Sequence, residues 1–208
     1  MSIDLTTLST REVLSAVYIG YYNRAADAAG IQFWEQVIAN TSLDLEAVAT
    51  DFAGQAETQT VHPFFADPAT STPSTFITSL YQNLFNRDPD AAGLEFWSEQ
   101  LQNAIDGVEG SFSVGEIIVK IIEGAVDVEG GTQDRTTILN KIEVAQDWTD
   151  AAEANGGDFD AAAMASAKAI IADVTSDTST VADAKAATDA FFAPAPVPGE
   201  TLSLTSGT

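Results

Sequence analysis

The 208-residue chain contains no cysteine, one histidine and only 8 lysines and arginines. Without a thiol it has no disulfides, thiolate metal sites or cysteine nucleophile. Its few basic residues are set against 31 aspartates and glutamates, a formal net charge of −23 at neutral pH. A surface of that sign repels phosphate backbones and has no basic stripe with which to release counterions, so nucleic acid is not an expected partner. Cations, or surfaces bridged by cations, suit it better.

Other absences narrow the class further. No apolar run approaches the roughly 20 residues that a membrane-spanning helix needs, so no membrane span is expected. The opening MSIDLTTLSTREVLSAVYIGYY lacks a basic region followed by an apolar stretch and a small-residue cleavage site, so it does not read as a signal peptide. No G-x-S-x-G, H-E-x-x-H or phosphate-loop pattern occurs, and His62 beside Pro63 reads as a loop or packing residue. The expectation is a protein that is not an enzyme.

What the chain does have is 45% hydrophobic residues and three tryptophans, enough for a sizeable core. Four S/T-x-x-D/E pairs, Ser9 with Glu12, Thr41 with Asp44, Ser113 with Glu116 and Thr180 with Asp183, mark helix starts. Apolar spacing then predicts helices near 10–22, 28–40, 43–60, 74–86, 90–105, 114–126, 134–155, 160–174 and 180–192. HPFFADPATSTPS, IDGVEGS and ANGGD fall between them as breakers. The body, residues 1–192, is expected to be all-α, a multi-helix bundle of repeated helical hairpins. From Ala193 the prolines of PAPVPGE forbid a helix and TLSLT alternates like a strand, which suggests a linker over 193–208 entering a separate β-domain.

One twelve-residue phrase occurs twice, as NRAADAAGIQFW from Asn23 and as NRDPDAAGLEFW from Asn86, an offset of 63 residues (86 − 23). The match extends outward, with Tyr18 against Tyr81, Tyr22 against Phe85 and Asn40 against Asn103. Repeat units of about 10–60 and 74–126 follow, with closing helices over about 134–192. Each phrase reads as the elbow of a helical hairpin. Asp27 and Asp90 are placed to cap the second helix, and Gly30 and Gly93 to let another backbone come close.

On that second helix Leu94, Trp97, Leu101 and Ile105 share one stripe, as do Ile31, Trp34 and Ile38, so both tryptophans read as core. Phe33 and Phe96 fall about 130° from the stripe centre, which points to packing against a second neighbour or to the lining of a groove. Arg24 and Arg87 read either as ties to carboxylates and helix-end carbonyls within the elbow or as contacts to a sugar or phosphate. Asn86, Asp88 and Asp90 alternate oxygen side chains along a loop, the arrangement a calcium ion would use. The EF-hand pattern nevertheless fails at Ala91 and Trp97, and the first copy has Ala25 in place of Asp88.

The unit Y-x-x-L-F-N-R-D-P-D-x-x-G-L-x-F-W resembles a helical repeat, catalogued as a domain of unknown function, found in secreted bacterial proteins of the RTX and S-layer type. The resemblance covers roughly 18–150; the second copy is close to the pattern and the first departs from it at Ala25 and Ala26. ILNKIEVAQDWTDA is similar to the helix that follows such repeats, ASAKAIIADVTSDTSTVADAKAATDAF to their closing pair, and GETLSLTSGT to the strand opening a calcium-binding β-region.

The resemblance implies an N-terminal anchoring domain of a protein retained at the bacterial surface and exported by type I secretion without a cleaved leader. Its expected partner is lipopolysaccharide O-antigen or another surface polysaccharide, with self-association in a lattice as a further expectation. A helical spacer or protein-interaction module is the alternative. Calcium is expected mainly in the β-region or as a bridge to the membrane surface. Aromatic faces stack on sugars, so Tyr21, Tyr22, Arg24, Arg87, Phe96 and Trp148 are the candidate glycan contacts.

Overall fold

The computed structural model describes residues 8–68, 71–127 and 132–194. Among these the chain forms α1 (Thr10–Tyr22), α2 (Ala28–Asn40), α3 (Leu45–Ala53), α4 (Ala56–Val61), a 3-10 turn (Pro63–Phe65), α5 (Pro73–Phe85), α6 (Ala91–Ile105), α7 (Val114–Val126), α8 (Gln133–Ala154), α9 (Ala161–Ala172) and α10 (Thr178–Phe192). The described residues hold no strand, so the all-α expectation is met. The expected β-strand lies in 195–208, outside the described residues.

Local chemistry accounts for most helix boundaries. Ser9 and Ser113 form complete capping boxes with Glu12 and Glu116, as the sequence suggests. The other two pairs act differently: Asp44 itself caps α3, and Asp177 caps α10. The helix expected over 43–60 breaks at Gly54 and Gln55 into α3 and α4. The break lets the Thr58 hydroxyl donate to the Phe52 carbonyl at 2.5 Å while it meets the Tyr22 hydroxyl at 2.7 Å, contacts a straight helix would not bring together.

Helix α1 runs through the centre, with every residue from Val13 to Tyr22 buried, and packs on α2, α3, α4, α5, α7 and α8. Each fully buried large apolar side chain contributes about 1.5–3 kcal/mol, which places most of the stability around this helix. Helices α3 and α7 pack closely because Gly115 has no side chain; a Cβ there would collide with the Glu46 carbonyl and with Thr50.

The two repeat units are embedded differently. Both elbows begin with an asparagine in the left-handed region, Asn23 at φ 50° and Asn86 at φ 58°, ending α1 and α5. The first elbow is then sealed by the closing helices. The Ala25 amide donates to the Ala167 carbonyl at 3.0 Å, and the Thr149 hydroxyl donates to the Ala26 carbonyl at 2.8 Å. Ala25 and Ala26 are completely buried, whereas of their counterparts Asp88 is exposed and Pro89 half-buried. A carboxylate at position 25 would be buried without a partner, which explains why the phrase reads A-A in one copy and D-P in the other.

Candidate functional site: two clefts built on one repeat

Each elbow places an arginine over the aromatic residues of the helix before it. In the first unit the Arg24 guanidinium sits 5.0 Å from the Tyr18 ring centre, 5.2 Å from that of Tyr22 and 4.9 Å from that of Phe159. Its Nε and Nη2 donate to the two Glu57 carboxylate oxygens at 2.9 and 2.8 Å, and Nη1 donates to the Ala25 carbonyl at 2.8 Å. In the second unit Arg87 lies 5.4 Å from the Tyr81 ring centre, grips Asp134 through Nε and Nη2 at 2.8 and 2.5 Å, and donates from Nη1 to the Asp88 carbonyl at 2.9 Å. Both arginines therefore tie their own elbows, one to α4 and the other to α8. They differ in setting, since the Arg24 side chain is 3% exposed and that of Arg87 is 45% exposed.

Gly30 makes room for a side chain rather than for a backbone, whereas a side-chain carbon at Gly93 would fit. A Cβ at Gly30 would collide with the Tyr18 hydroxyl, and one at Gly93 would lie 3.7 Å from the Tyr81 hydroxyl. The tyrosine hydroxyls thus reach the start of α2 and α6. Burial, reinforced at Tyr18 by the Asp27 carboxylate, raises the pKa of both phenols, with Arg24 and Arg87 opposing.

Each unit opens a cleft beside this assembly. The larger, about 630 Å³, is lined by Tyr18, Tyr22, Trp34 and Phe52 from its floor, with Arg24, Asp27, Asp51 and Glu57 around them. Phe33 and Leu43 stand at its rim, exposed. The smaller, about 220 Å³, is lined by the equivalent Tyr81, Phe85, Arg87 and Trp97, together with Lys120, Gly124 and Asp134. The duplication thus yields two versions of one cavity.

The residues expected to contact a glycan fall into three settings. Tyr22 and Arg24 line the larger cleft, and Arg87 lines the smaller. Tyr21 and Trp148 are completely buried, the first donating to the Ala49 carbonyl at 2.9 Å and the second to Ser166 Oγ at 3.0 Å, so neither offers a ring face to a ligand. Phe96 is 47% exposed on α6 and Phe33 56% exposed on α2. Each meets the edge of the adjacent tryptophan, with ring centres 4.8 and 4.9 Å apart, and Phe33 takes the groove-lining alternative at the larger cleft. The tryptophan stripe is buried as expected at Trp34, Ile31 and Leu101, half-buried at Trp97 and exposed at Ile105. His62 is a packing residue, with Nε2 2.7 Å from the Tyr21 carbonyl and its pKa lowered by burial.

The calcium candidates are not brought together as a ligand set. Asn86 Oδ1 accepts from the Lys141 ammonium at 2.6 Å, Asp88 Oδ1 accepts from Gln82 at 2.7 Å, and Asp90 Oδ1 caps α6 through the Gly93 amide at 2.8 Å. An ammonium on the first of three intended oxygens occupies the place of the cation. Among the described residues no group of three or more His, Asp or Glu side chains is arranged to hold a metal ion.

Residues that sequence spacing did not single out as site residues include Tyr18, Trp34, Phe52, Glu57 and Lys120. The helix caps held a usable signal, since Asp51 and Lys120 each stand seven residues after a cap, Asp44 and Ser113, with opposite charge.

Comparison with known proteins follows this division. Residues 64–109, essentially the second unit's hairpin, match the family described as Domain of unknown function (DUF4214). The sealed first unit, with Ala25 and Ala26, lies outside the match. Over 175 residues, 84% of its length, the chain is 28% identical to an S-layer protein of Synechocystis sp. (strain ATCC 27184 / PCC 6803 / Kazusa). It spans about 10% of that relative's length. No solved structure matches. No helix among the described residues is long and apolar enough to cross a membrane.

Proposed function

We propose that the chain is a non-catalytic helical module of a secreted surface-layer protein, and that it holds that protein to a surface polysaccharide such as lipopolysaccharide O-antigen. The observation that carries this reading is the larger cleft. Its aromatic floor, carboxylate acceptors and the exposed Phe33 at its mouth combine stacking faces with hydroxyl-binding groups, the pairing a sugar ring requires. Similarity to an S-layer protein supports the surface setting. Calcium enters as a bridge between this acidic module and an anionic surface rather than as an ion seated in the elbow.

Sedimentation of the protein with vesicles that carry O-antigen, and with vesicles that lack it, tests the reading. Retention only by the first, weakened about 3–10-fold by Phe33→Ala, supports it, a loss of the size expected for one aromatic contact of about 0.5–1.5 kcal/mol. Equal retention by both, or by neither, sinks it.

A further inference from the structure

The two clefts share their aromatic frame but carry opposite charge. Around the larger, Arg24 is outnumbered by Asp27, Asp51 and Glu57. Around the smaller, Arg87 and Lys120 outnumber Asp134. The reversal has one main source: Lys120 lines its cleft from α7, seven residues after the cap Ser113, where Asp51 lines the larger cleft from α3, seven residues after the cap Asp44. A cavity lined with net positive charge on a chain of net charge −23 runs against the composition and concentrates anions where the rest of the surface repels them.

The cations of the smaller cleft differ in availability. Arg87 is bound by Asp134 on one side and by its own elbow carbonyl on another. Lys120 is not engaged in this way. Its ammonium lies 5.2 Å over the Phe112 ring and, among the described residues, the Glu46 carboxylate feels its charge without forming an ion pair with it. An ammonium carries three donors, and contact with a ring face leaves them to a further acceptor. The wall beside it is open, because a side-chain carbon at Gly124 would meet nothing within 4 Å. At about 220 Å³ the space suits a single substituent and part of one ring, below the roughly 300 Å³ at which ordinary ligand pockets begin.

We propose that the smaller cleft is an anion-binding subsite, in which Lys120 takes the carboxylate or phosphate substituent of a sugar unit whose ring lies against Trp97 and Tyr81. Arg87, held by Asp134, strengthens the field without needing to move. The sugar part of this assignment rests on the polysaccharide reading above; the anion part does not. It predicts that the two units read different parts of a polymer, the first an uncharged ring and the second an acidic one.

The test uses the full chain and follows the Trp97 indole N–H in ¹H–¹⁵N spectra, identified by its loss in Trp97→Phe. Glucuronate, glucose and inorganic phosphate are titrated separately. Glucuronate should shift the Trp97 signal at concentrations where glucose does not. Lys120→Gln should weaken it at least tenfold, and Lys120→Arg should restore most of the affinity. Tighter binding of glucuronate than of phosphate identifies a uronic-acid unit, and the reverse order a phosphorylated one. Equal response to glucose and glucuronate, no response to either anion, or unchanged affinity in a folded Lys120→Gln overturns the proposal. If glucuronate binds here while O-antigen vesicles retain nothing, the anion subsite stands and the anchoring reading falls.

Discussion

The Lys141 ammonium lies 2.6 Å from Oδ1 of Asn86 and 2.6 Å from the Asn83 carbonyl, joining the middle of α8 to the end of α5 with no carboxylate in the contact. Lysine at a helix C-terminus complements the partial negative charge there. Its side chain is nevertheless almost wholly buried, and burial lowers its pKa from 10.5 to about 8. Below pH 8 both folded and unfolded chains hold this proton, so its burial costs a constant amount. Between pH 8 and 10.5 the unfolded chain binds more protons, and stability rises with pH by up to about 3 kcal/mol. Burial raises the pKa of Tyr18, Tyr21, Tyr22 and Tyr81, so above about pH 10 the unfolded chain ionises these first and stability falls again. Urea unfolding at a series of pH values should therefore peak between about 8 and 10, and Lys141→Met should abolish the rise while keeping the fall. A flat profile in the unmodified protein contradicts this.

The two arginines give a contrast in ion-pair energetics. Removing Glu57 takes the bidentate partner from the enclosed Arg24 guanidinium and leaves only the Asp27 carboxylate, 3.8 Å away, so Glu57→Ala should cost up to about 3–5 kcal/mol. Asp134→Ala strips the partner from an Arg87 that water reaches, and should cost less than about 1 kcal/mol. Chemical denaturation of both variants measures the gap, and equal losses would refute the difference in setting.

Exchanging the elbow residues tests why the copies differ. Ala25→Asp buries a carboxylate beneath α8 and α9 and should destabilise by several kcal/mol, whereas Asp88→Ala at the surface should stay within about 0.5 kcal/mol. Thermal unfolding of the pair is sufficient to decide it.

Close packing of α3 on α7 makes a third contrast. Gly115→Ala forces the helices apart and should cost at least about 1–3 kcal/mol, while Gly124→Ala, whose new methyl meets nothing, should be neutral or gain up to about 1 kcal/mol from helix propensity. Circular dichroism should show both variants helical, with only the first melting early.

Much of the helical layout was legible because it is written locally. Ser9 and Ser113 announce their helices within four residues, and the twin phrases reveal two hairpins without any knowledge of packing. What local patterns could not convey was which surfaces the closing helices would cover. Trp148 reads as an aromatic in an acidic helix, yet Phe159 and Phe192 enclose it. Asn86 reads as a loop oxygen donor, but its partner is a lysine 55 residues away. The clefts lie at the same level, since Glu57 reaches its site only because α3 and α4 separate at Gly54.

The hydrogen bond from Thr149 to Ala26 spans 123 residues of chain, and the one from Ala25 reaches further, to Ala167. The first hairpin is synthesised before the helices that finish it. Until α9 has formed, the backbone groups and methyls of Ala25 and Ala26 remain uncovered, so folding cannot proceed to completion hairpin by hairpin from the N-terminus. Closing so long a loop is entropically costly and slow relative to forming the local hairpins. A nascent chain therefore passes through a stage in which this hairpin is made but not yet protected, and the arrival of α8 and α9 sets the moment at which it becomes resistant to proteolysis.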